Sequence, residues 1–253
     1  MDRVEKFVFQ RDAKFALAGQ LLSRYVLAQA CRRSSASFDI RRTERGRPFV
    51  ECTPAFDFNL SHHHHLVCIA GTFLGRVGCD TMEYQVAETA AKEPIESLTN
   101  LLRGEFTSAE YDFILKRTSD ERTRVRHFYR LWCLKESYVK WLGDGLHFPL
   151  SKMNFAIGTE EFNEHDVEQV ISDTRLDVEG RSPDEQLRFD EQVIQLANSE
   201  QQIVTLCLSI QHASQTFTEL TIEQLLRGCT PLQDSRTDDD DSGWTSFQMK
   251  KVK

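Results

Sequence analysis

ERTRVRHFYRLWCLKESYVKWL, residues 121–142, is the longest helical pattern in the chain, and it ends at Gly143-Asp144-Gly145. Trp132, Leu134 and Val139 give it apolar flanks, and glycine just past the end is a helix stop. Glu136 lies among these apolar residues with Lys140 one turn on, so both project from one face. An exposed Glu–Lys pair at that spacing is common and stabilises by only ~0.3–0.5 kcal/mol. Taken singly it carries no function.

Working upstream, Thr107-Ser108-Ala109-Glu110, just after Phe106, fits a capping box opening a helix over 107–117. Helical signals also cover 84–103. RDAKFALAGQLLSRYVLAQAC (11–31) sets Phe15, Leu17, Ala18, Leu21, Leu22, Tyr25 and Val26 on one apolar stripe. Between these helices, SFDIRRT, RPFVE, FDFNLS, HLVCIAG and GRVGCDTM read as strands joined by turns at Arg45-Gly46 and Leu74-Gly75. Downstream, KMNFAIG, TRLDVEG, LRFDEQVIQL and IVTLCLSI read as strands again. Helix plus strands thus occurs twice. The fold class expected is α+β, in two similar halves spanning 1–100 and 101–215, each a small sheet packed on helices. DSRTDDDDSG is a run of like charge without apolar anchors, so 228–253 is expected to be a disordered acidic tail.

Composition excludes several classes. The chain has 253 residues, a net charge of −8 and 28 % charged residues. An acidic balance argues against general nucleic-acid binding, which needs a basic face. No run approaches the ~18 apolar residues of a membrane span, and residues 1–20 show no signal-peptide pattern. Seven scattered cysteines, none in a CxxC pair, suit reduced thiols in a cytosolic protein.

Charge is unevenly spread. Residues 31–48 carry six arginines against Asp39 and Glu44. Arg42, Arg45 and Arg47 flank Gly46 in a turn. Glycine lets backbone approach a ligand, and guanidinium forks suit phosphate oxygens; a solvated surface turn is the plainer alternative. Asp80 closes the apolar run RVGCD. If Asp80 and Glu136 converged, two carboxylates ~4 Å apart would repel by ~4 kcal/mol at an effective dielectric of ~20. One would take a proton, or a cation would sit between them. Oxygen ligands near phosphates point to Mg²⁺.

FNLSHHHHLVCIAG (58–71) adds four consecutive histidines. On a strand, His63 and His65 would face away from His62, and His64 would share its side. A zinc site would need ligands from a second segment, and no other His/Cys cluster offers them.

FVFQRDAKFALAG, RRTERGRPFV, FNLSH, VGCD and FYRLWCLKESYVKWLGDGL, in that order and spacing, resemble the Sfp-type 4′-phosphopantetheinyl transferases. The likeness runs from Arg3 to about residue 210. It implies two pseudo-twofold-related α/β halves with coenzyme A, the co-substrate, in the cleft between them. It implies transfer of the phosphopantetheine arm to a carrier-protein serine, with release of adenosine 3′,5′-bisphosphate. Arg3 falls on an arginine contacting coenzyme A. Arg42, Thr43, Glu44, Arg45, Gly46 and Arg47 match the phosphate-gripping loop. Asn59, Leu60, Ser61 and His62 match a segment whose histidine reaches a coenzyme A phosphate. Asp80 and Glu136 match Mg²⁺ ligands that also face coenzyme A, and Lys140 a lysine near the transferred phosphate. Glu136, or a metal-bound water beside it, is the expected general base, and Lys140 is the expected catalytic partner that stabilises the phosphate oxygens or protonates the leaving nucleotide. Many relatives carry a third acid where this chain has Met82, a place that water can fill, and Glu83 is out of register. The resemblance also implies a further segment ahead of Arg3, so the first half is expected to be shortened at its start.

Expected partners are an acyl carrier protein domain, of fatty-acid synthase or aminoadipate reductase type, met in part through residues 84–118. No nucleic acid or membrane is expected, and the protein is expected to be a cytosolic monomer. The alternatives are a coenzyme A or carrier-protein binder without turnover, and a metal-binding histidine run.

Overall fold

The computed structural model describes residues 6–84, 94–163, 166, 168–183, 186–197, 200–209, 216–227 and 247–251, with backbone only for Leu146. The elements run α1 (Gln10–Cys31), β1 (Arg41–Arg42), β2 (Pro48–Phe49), β3 (Asp57–His63), β4 (Leu66–Thr72) and β5 (Val77–Glu83). Next come α2 (Ile95–Leu101), α3 (Ser108–Lys116), α4 (Glu121–Leu142), β6 (Met153–Ala156), β7 (Val170–Ile171) and β8 (Arg175–Val178). β9 (Leu187–Gln195), β10 (Gln201–Ser209) and α5 (Ile222–Arg227) complete the order. Small sheets packed on helices bear out the α+β expectation. The two-residue β7 has no sequence pattern of its own. Of the helix expected over 84–103, α2 is the described part, and 85–93 lie outside the described residues. Among the described residues no helix is long and apolar enough to cross a membrane.

Chain contacts divide the protein into Arg41–Phe217 and a unit of Met1–Ile40 with Thr218–Lys253. In the smaller unit α1 buries Ala13, Ser23 and Leu27. Leu17, expected on the apolar stripe, is 47 % exposed. Most of the expected tail lies outside the described residues. Its last part is paired rather than loose: Lys251 bridges Phe9, and the Lys250 ammonium donates to the Phe7 carbonyl at 2.7 Å.

In the larger unit, four antiparallel strands run in the order β5-β10-β9-β7. This sheet crosses the division expected at residue 100, since β5 pairs with β10 from Val77↔Leu208 to Glu83↔Gln202. β3 and β4 form a separate hairpin.

α4 is the helix the sequence promised, residue for residue. The Asp120 side chain accepts from the Thr123 N–H at 2.8 Å, and Gly143 closes the helix at φ +77°. Its apolar face, with Phe128, Leu131, Leu134, Tyr138 and Trp141, shares a core with Phe155 and Phe189. α3 opens on the expected capping box, formed by Thr107 and Glu110.

Two buried ion pairs fasten α4. The Lys135 ammonium lies 2.8 Å from Glu110, both side chains fully buried, and also donates to the Leu150 and Met153 carbonyls. Burial pulls the Lys135 ammonium down, against the nearby Glu110 charge. Arg130 forks onto both Glu191 oxygens at 2.7 and 2.9 Å. Buried charges persist where they are paired and hydrogen-bonded this way.

Two close approaches place the site. β5 touches α4 at Gly78, where a Cβ would stand 2.6 Å from the Trp141 backbone nitrogen and closer still to the Ser137 carbonyl. Only glycine fits there. On its other side β5 meets β3, running in the same direction, through side chains rather than a backbone ladder. Asp57 Oδ2 accepts from the Val77 N–H, Asn59 Oδ1 accepts from the Cys79 N–H, and Ser61 Oγ donates to Asp80 Oδ1. Asp57 and Asn59 thus satisfy backbone N–H groups of β5, and Ser61, the next residue on that side, reaches the Asp80 side chain, as the period of two dictates.

Candidate active site

Asp80 sits where these two approaches meet, on β5 between β3 and α4, and is 5 % exposed. Its Oδ1 accepts from Lys140 Nζ at 2.6 Å and from Ser61 Oγ at 2.8 Å. Lys140 Nζ also donates to Ser61 Oγ at 2.8 Å, closing a triangle of three side chains from α4, β5 and β3. Lys140 therefore pairs with Asp80 and not with Glu136, and the exposed i,i+4 bridge is not what the helix makes. Burial pulls the Lys140 ammonium down, but the Asp80 charge and hydrogen bond outweigh it and leave it above its ordinary range.

Asp80 Oδ2 is buried and has no hydrogen-bond partner among the described residues. Glu136, half-buried, makes no hydrogen bond or ion pair with them either. Burial pushes the Glu136 carboxyl up, the Asp80 charge adds to this, and Lys140 opposes it. Asp80 is thus close enough for its charge to be felt at Glu136. Two carboxylates with unfilled acceptor capacity, in a partly desolvated place, are the donor set of a hard divalent cation.

The arginine turn reaches the same neighbourhood. Gly46, at φ +84°, donates its N–H to the Thr43 carbonyl at 2.9 Å, and the Thr43 N–H bonds the Arg47 carbonyl at 2.9 Å. Arg47 points inward, with its guanidinium on the Lys140 carbonyl, on Asp57 and on the Val77 carbonyl. It ties the turn to the end of α4 and to the first β3–β5 rung. Arg45 forms an exposed ion pair with Asp144, just past α4. Arg42 bonds the Gly46 carbonyl. Arg42, Thr43, Glu44 and Arg45 face solvent.

Residues 1–74 match the family model described as "4′-phosphopantetheinyl transferase, N-terminal", and residues 76–207 match that of the "4′-phosphopantetheinyl transferase superfamily". The L-aminoadipate-semialdehyde dehydrogenase-phosphopantetheinyl transferase of Xenopus laevis is 30 % identical over 98 % of this chain and 82 % of its own. The chain belongs to the 4′-phosphopantetheinyl transferase superfamily. The human protein of the same name is 29 % identical over 97 % of this chain and 81 % of its own. A 4′-phosphopantetheinyl transferase of Bacillus subtilis is 28 % identical over 60 % of this chain and 62 % of its own.

Against the family pattern, the structure brings together Asp80, Glu136, Lys140, Ser61 and the turn of Arg42–Arg47. Arg3 lies outside the described residues. Asn59 is buried and holds β5 through the Cys79 N–H. Leu60 is half-buried beside it. His62, exposed on β3, follows Ser61 and so projects from the opposite side of the strand. His64 does not share its face as expected. β3 ends at His63, and His64 turns out at φ +47° in the two-residue link to β4.

Asp57 and the buried pairing of Lys135 with the capping residue Glu110 carried no functional signal in the sequence reading. Asp57 was visible as a polar residue in an apolar strand. Lys135 carried no signal beyond its place in the KES run, five residues from Lys140.

Of the cysteines, Cys68, Cys79, Cys133 and Cys207 are buried and Cys31 and Cys52 half-buried, all reduced; Cys229 lies outside the described residues. The hydrogen bond shared by the Cys79 and Cys68 thiols, together with burial, raises the Cys79 thiol well above its usual range, as suits inert core thiols.

Proposed function

We propose that this transferase moves the 4′-phosphopantetheine group of coenzyme A to a serine hydroxyl of a carrier protein, with Asp80 and Glu136 holding a Mg²⁺ ion. The observation behind the metal is the pair of unsatisfied carboxylates beside Lys140. A divalent ion there supplies charge neutralisation to the pyrophosphate, the main need of phosphoryl transfer.

The chain's own residues account for the rest. The exposed guanidinium groups of Arg42 and Arg45 hold nucleotide phosphates, with charge-assisted bonds of ~1.5–3 kcal/mol each, and the exposed His62 ring, which faces away from Asp80, takes a phosphate remote from the metal. Arg47 positions that turn. The Lys140 ammonium, kept charged by Asp80, faces the phosphate oxygens. Glu136 accepts the serine proton as the serine oxygen bonds to the phosphorus bearing the pantetheine arm. The bond from that phosphorus to the bridging oxygen breaks, and adenosine 3′,5′-bisphosphate leaves with that oxygen. The names of the animal relatives point first to the carrier domain of an aminoadipate-semialdehyde dehydrogenase, and a fatty-acid synthase carrier is the second substrate to try. The reading takes the protein as a cytosolic monomer. No observation favours a binding protein without turnover.

Mass spectrometry of an apo-carrier domain, after incubation with coenzyme A, Mg²⁺ and the full chain, tests this. One added phosphopantetheine is expected, lost with a chelator. Loss of a general base costs ~10²–10⁴-fold, so E136Q should modify the carrier slower by that factor. Failure of the wild type on both carriers sinks the function. Near-normal transfer by E136Q removes Glu136 from the proton step.

A further inference from the structure

The β3–β5 rungs do not stop at Ser61. The next residue of β3 on that side is His63, and β5 ends at Glu83. One imidazole nitrogen each from His63 and His64 and one carboxylate oxygen of Glu83 lie within 4.8 Å of one another, all three residues half-buried. His64 reaches this side only because its backbone is left-handed, at φ +47°. An extended residue would have sent its ring to the other face. As built, the His63 and His64 rings lie 4.6 Å apart, and His64 Nε2 is 3.4 Å from Glu83 Oε2. Glu83, on β5, is the ligand from a second segment that a histidine-run site needs.

We propose that His63, His64 and Glu83 bind a zinc ion, separate from the Asp80–Glu136 pair, with water in the fourth position. Two imidazoles and one carboxylate suit Zn²⁺ and not Mg²⁺, which takes oxygen ligands. Zinc holds N and O ligands at ~2.0–2.2 Å in a tetrahedron, so neighbouring ligand atoms sit roughly 3.3–3.6 Å apart. The His64–Glu83 separation already has this value. Half-burial leaves a way in for the ion. On β3 and β5 the ion fastens the hairpin turn to the end of β5, as a further rung beyond Ser61–Asp80. Around the cluster, the Gln202 side-chain amide donates to the His63 carbonyl at 3.1 Å, and His65 Nε2 lies 3.8 Å from Glu200. The binding does not rest on the transferase reading.

The test is zinc titration of the tag-free full chain against a chromophoric chelator, with metal content measured after dialysis. One zinc per chain is expected. H64N keeps a residue that tolerates positive φ, and E83Q keeps the side-chain volume. Each should weaken zinc at least ~10–100-fold, the loss usual even for outer-shell partners of a metal. Zinc should raise the melting temperature of the wild type and not of E83Q, which keeps the test alive if H64N folds poorly. H62Q, H65Q and E136Q should bind zinc as the wild type does. Three results would each overturn the proposal: no stoichiometric zinc on the wild type, equal loss in H62Q or H65Q (plain chelation by the run), or loss with E136Q.

Discussion

Gly78→Ala probes the contact on which the site is built, and two physical arguments give it opposite signs. Gly78 does not lie in the left-handed region, so a methyl group there would ordinarily stabilise by ~0.4–1 kcal/mol through chain entropy. Packing predicts the reverse. The new Cβ would stand 2.6 Å from the Trp141 nitrogen and closer to the Ser137 carbonyl oxygen. Non-bonded atoms settle near ~3.5 Å, so α4 must withdraw from β5 by at least about 1 Å. Both obstructing atoms are helix backbone, and no side-chain rotation relieves them. Overpacking of this kind costs ~1–3 kcal/mol. The same withdrawal stretches the 2.6 Å bond from Lys140 to Asp80 and draws Glu136 away from it. A ~1 Å misplacement costs roughly 10²-fold in rate. Urea unfolding should show a lower midpoint, and the carrier assay a fall of that order at saturating coenzyme A. Gly104→Ala, whose Cβ meets nothing within 4 Å, is the control and should keep both. A G78A protein as stable as the wild type would refute the packing argument. A destabilised G78A that transfers at the normal rate would show that this contact does not set the site.

Lys135→Met strips the fully buried Glu110 of its cation. Breaking such a pair costs ~3–5 kcal/mol, and K135M/E110Q should regain part of this in urea unfolding; a double variant weaker than the sum of its parts would refute the pairing. Glu136 gives a pH signature. Its carboxyl is raised in the fold from a reference of 4.5, so the native state binds the proton more tightly than the unfolded chain. Stability should then fall as pH rises from about 4.5 through the raised value, and the E136Q midpoint should show less of this slope. Parallel midpoint–pH curves for the two proteins would mean that Glu136 is not desolvated as described.

Much of the fold was legible because its signals are local. Asp120, Thr107–Glu110 and Gly143 cap helices through bonds made within a few residues, and such bonds can be read from spacing. Gly46 and Gly75 mark their turns for the same reason. The alternation in β3 was legible too, and it correctly turns His63 away from His62. It failed at His64 because alternation holds only while the strand lasts, and the link to β4 begins there. What could not be read was partnership. Lys135 and Lys140 stand five residues apart on one helix, so they project from different faces. In the sequence both lie within one helical turn of Glu136. In the fold one is sealed against Glu110 and neutralises a core carboxylate, and the other lies at Asp80. Nothing near either lysine distinguishes them; the difference is made by α3 on one side and β5 on the other. The same holds for the acids. Asp57, Asp80, Glu110 and Glu191 are all buried or half-buried carboxylates, and most of their oxygens are met by guanidinium, ammonium, hydroxyl or backbone N–H groups. Asp80 Oδ2 and Glu136 are left over. A candidate metal site is therefore defined by the carboxylate oxygens that folding leaves unmet, and that remainder exists only once the fold has paired the neighbouring acids.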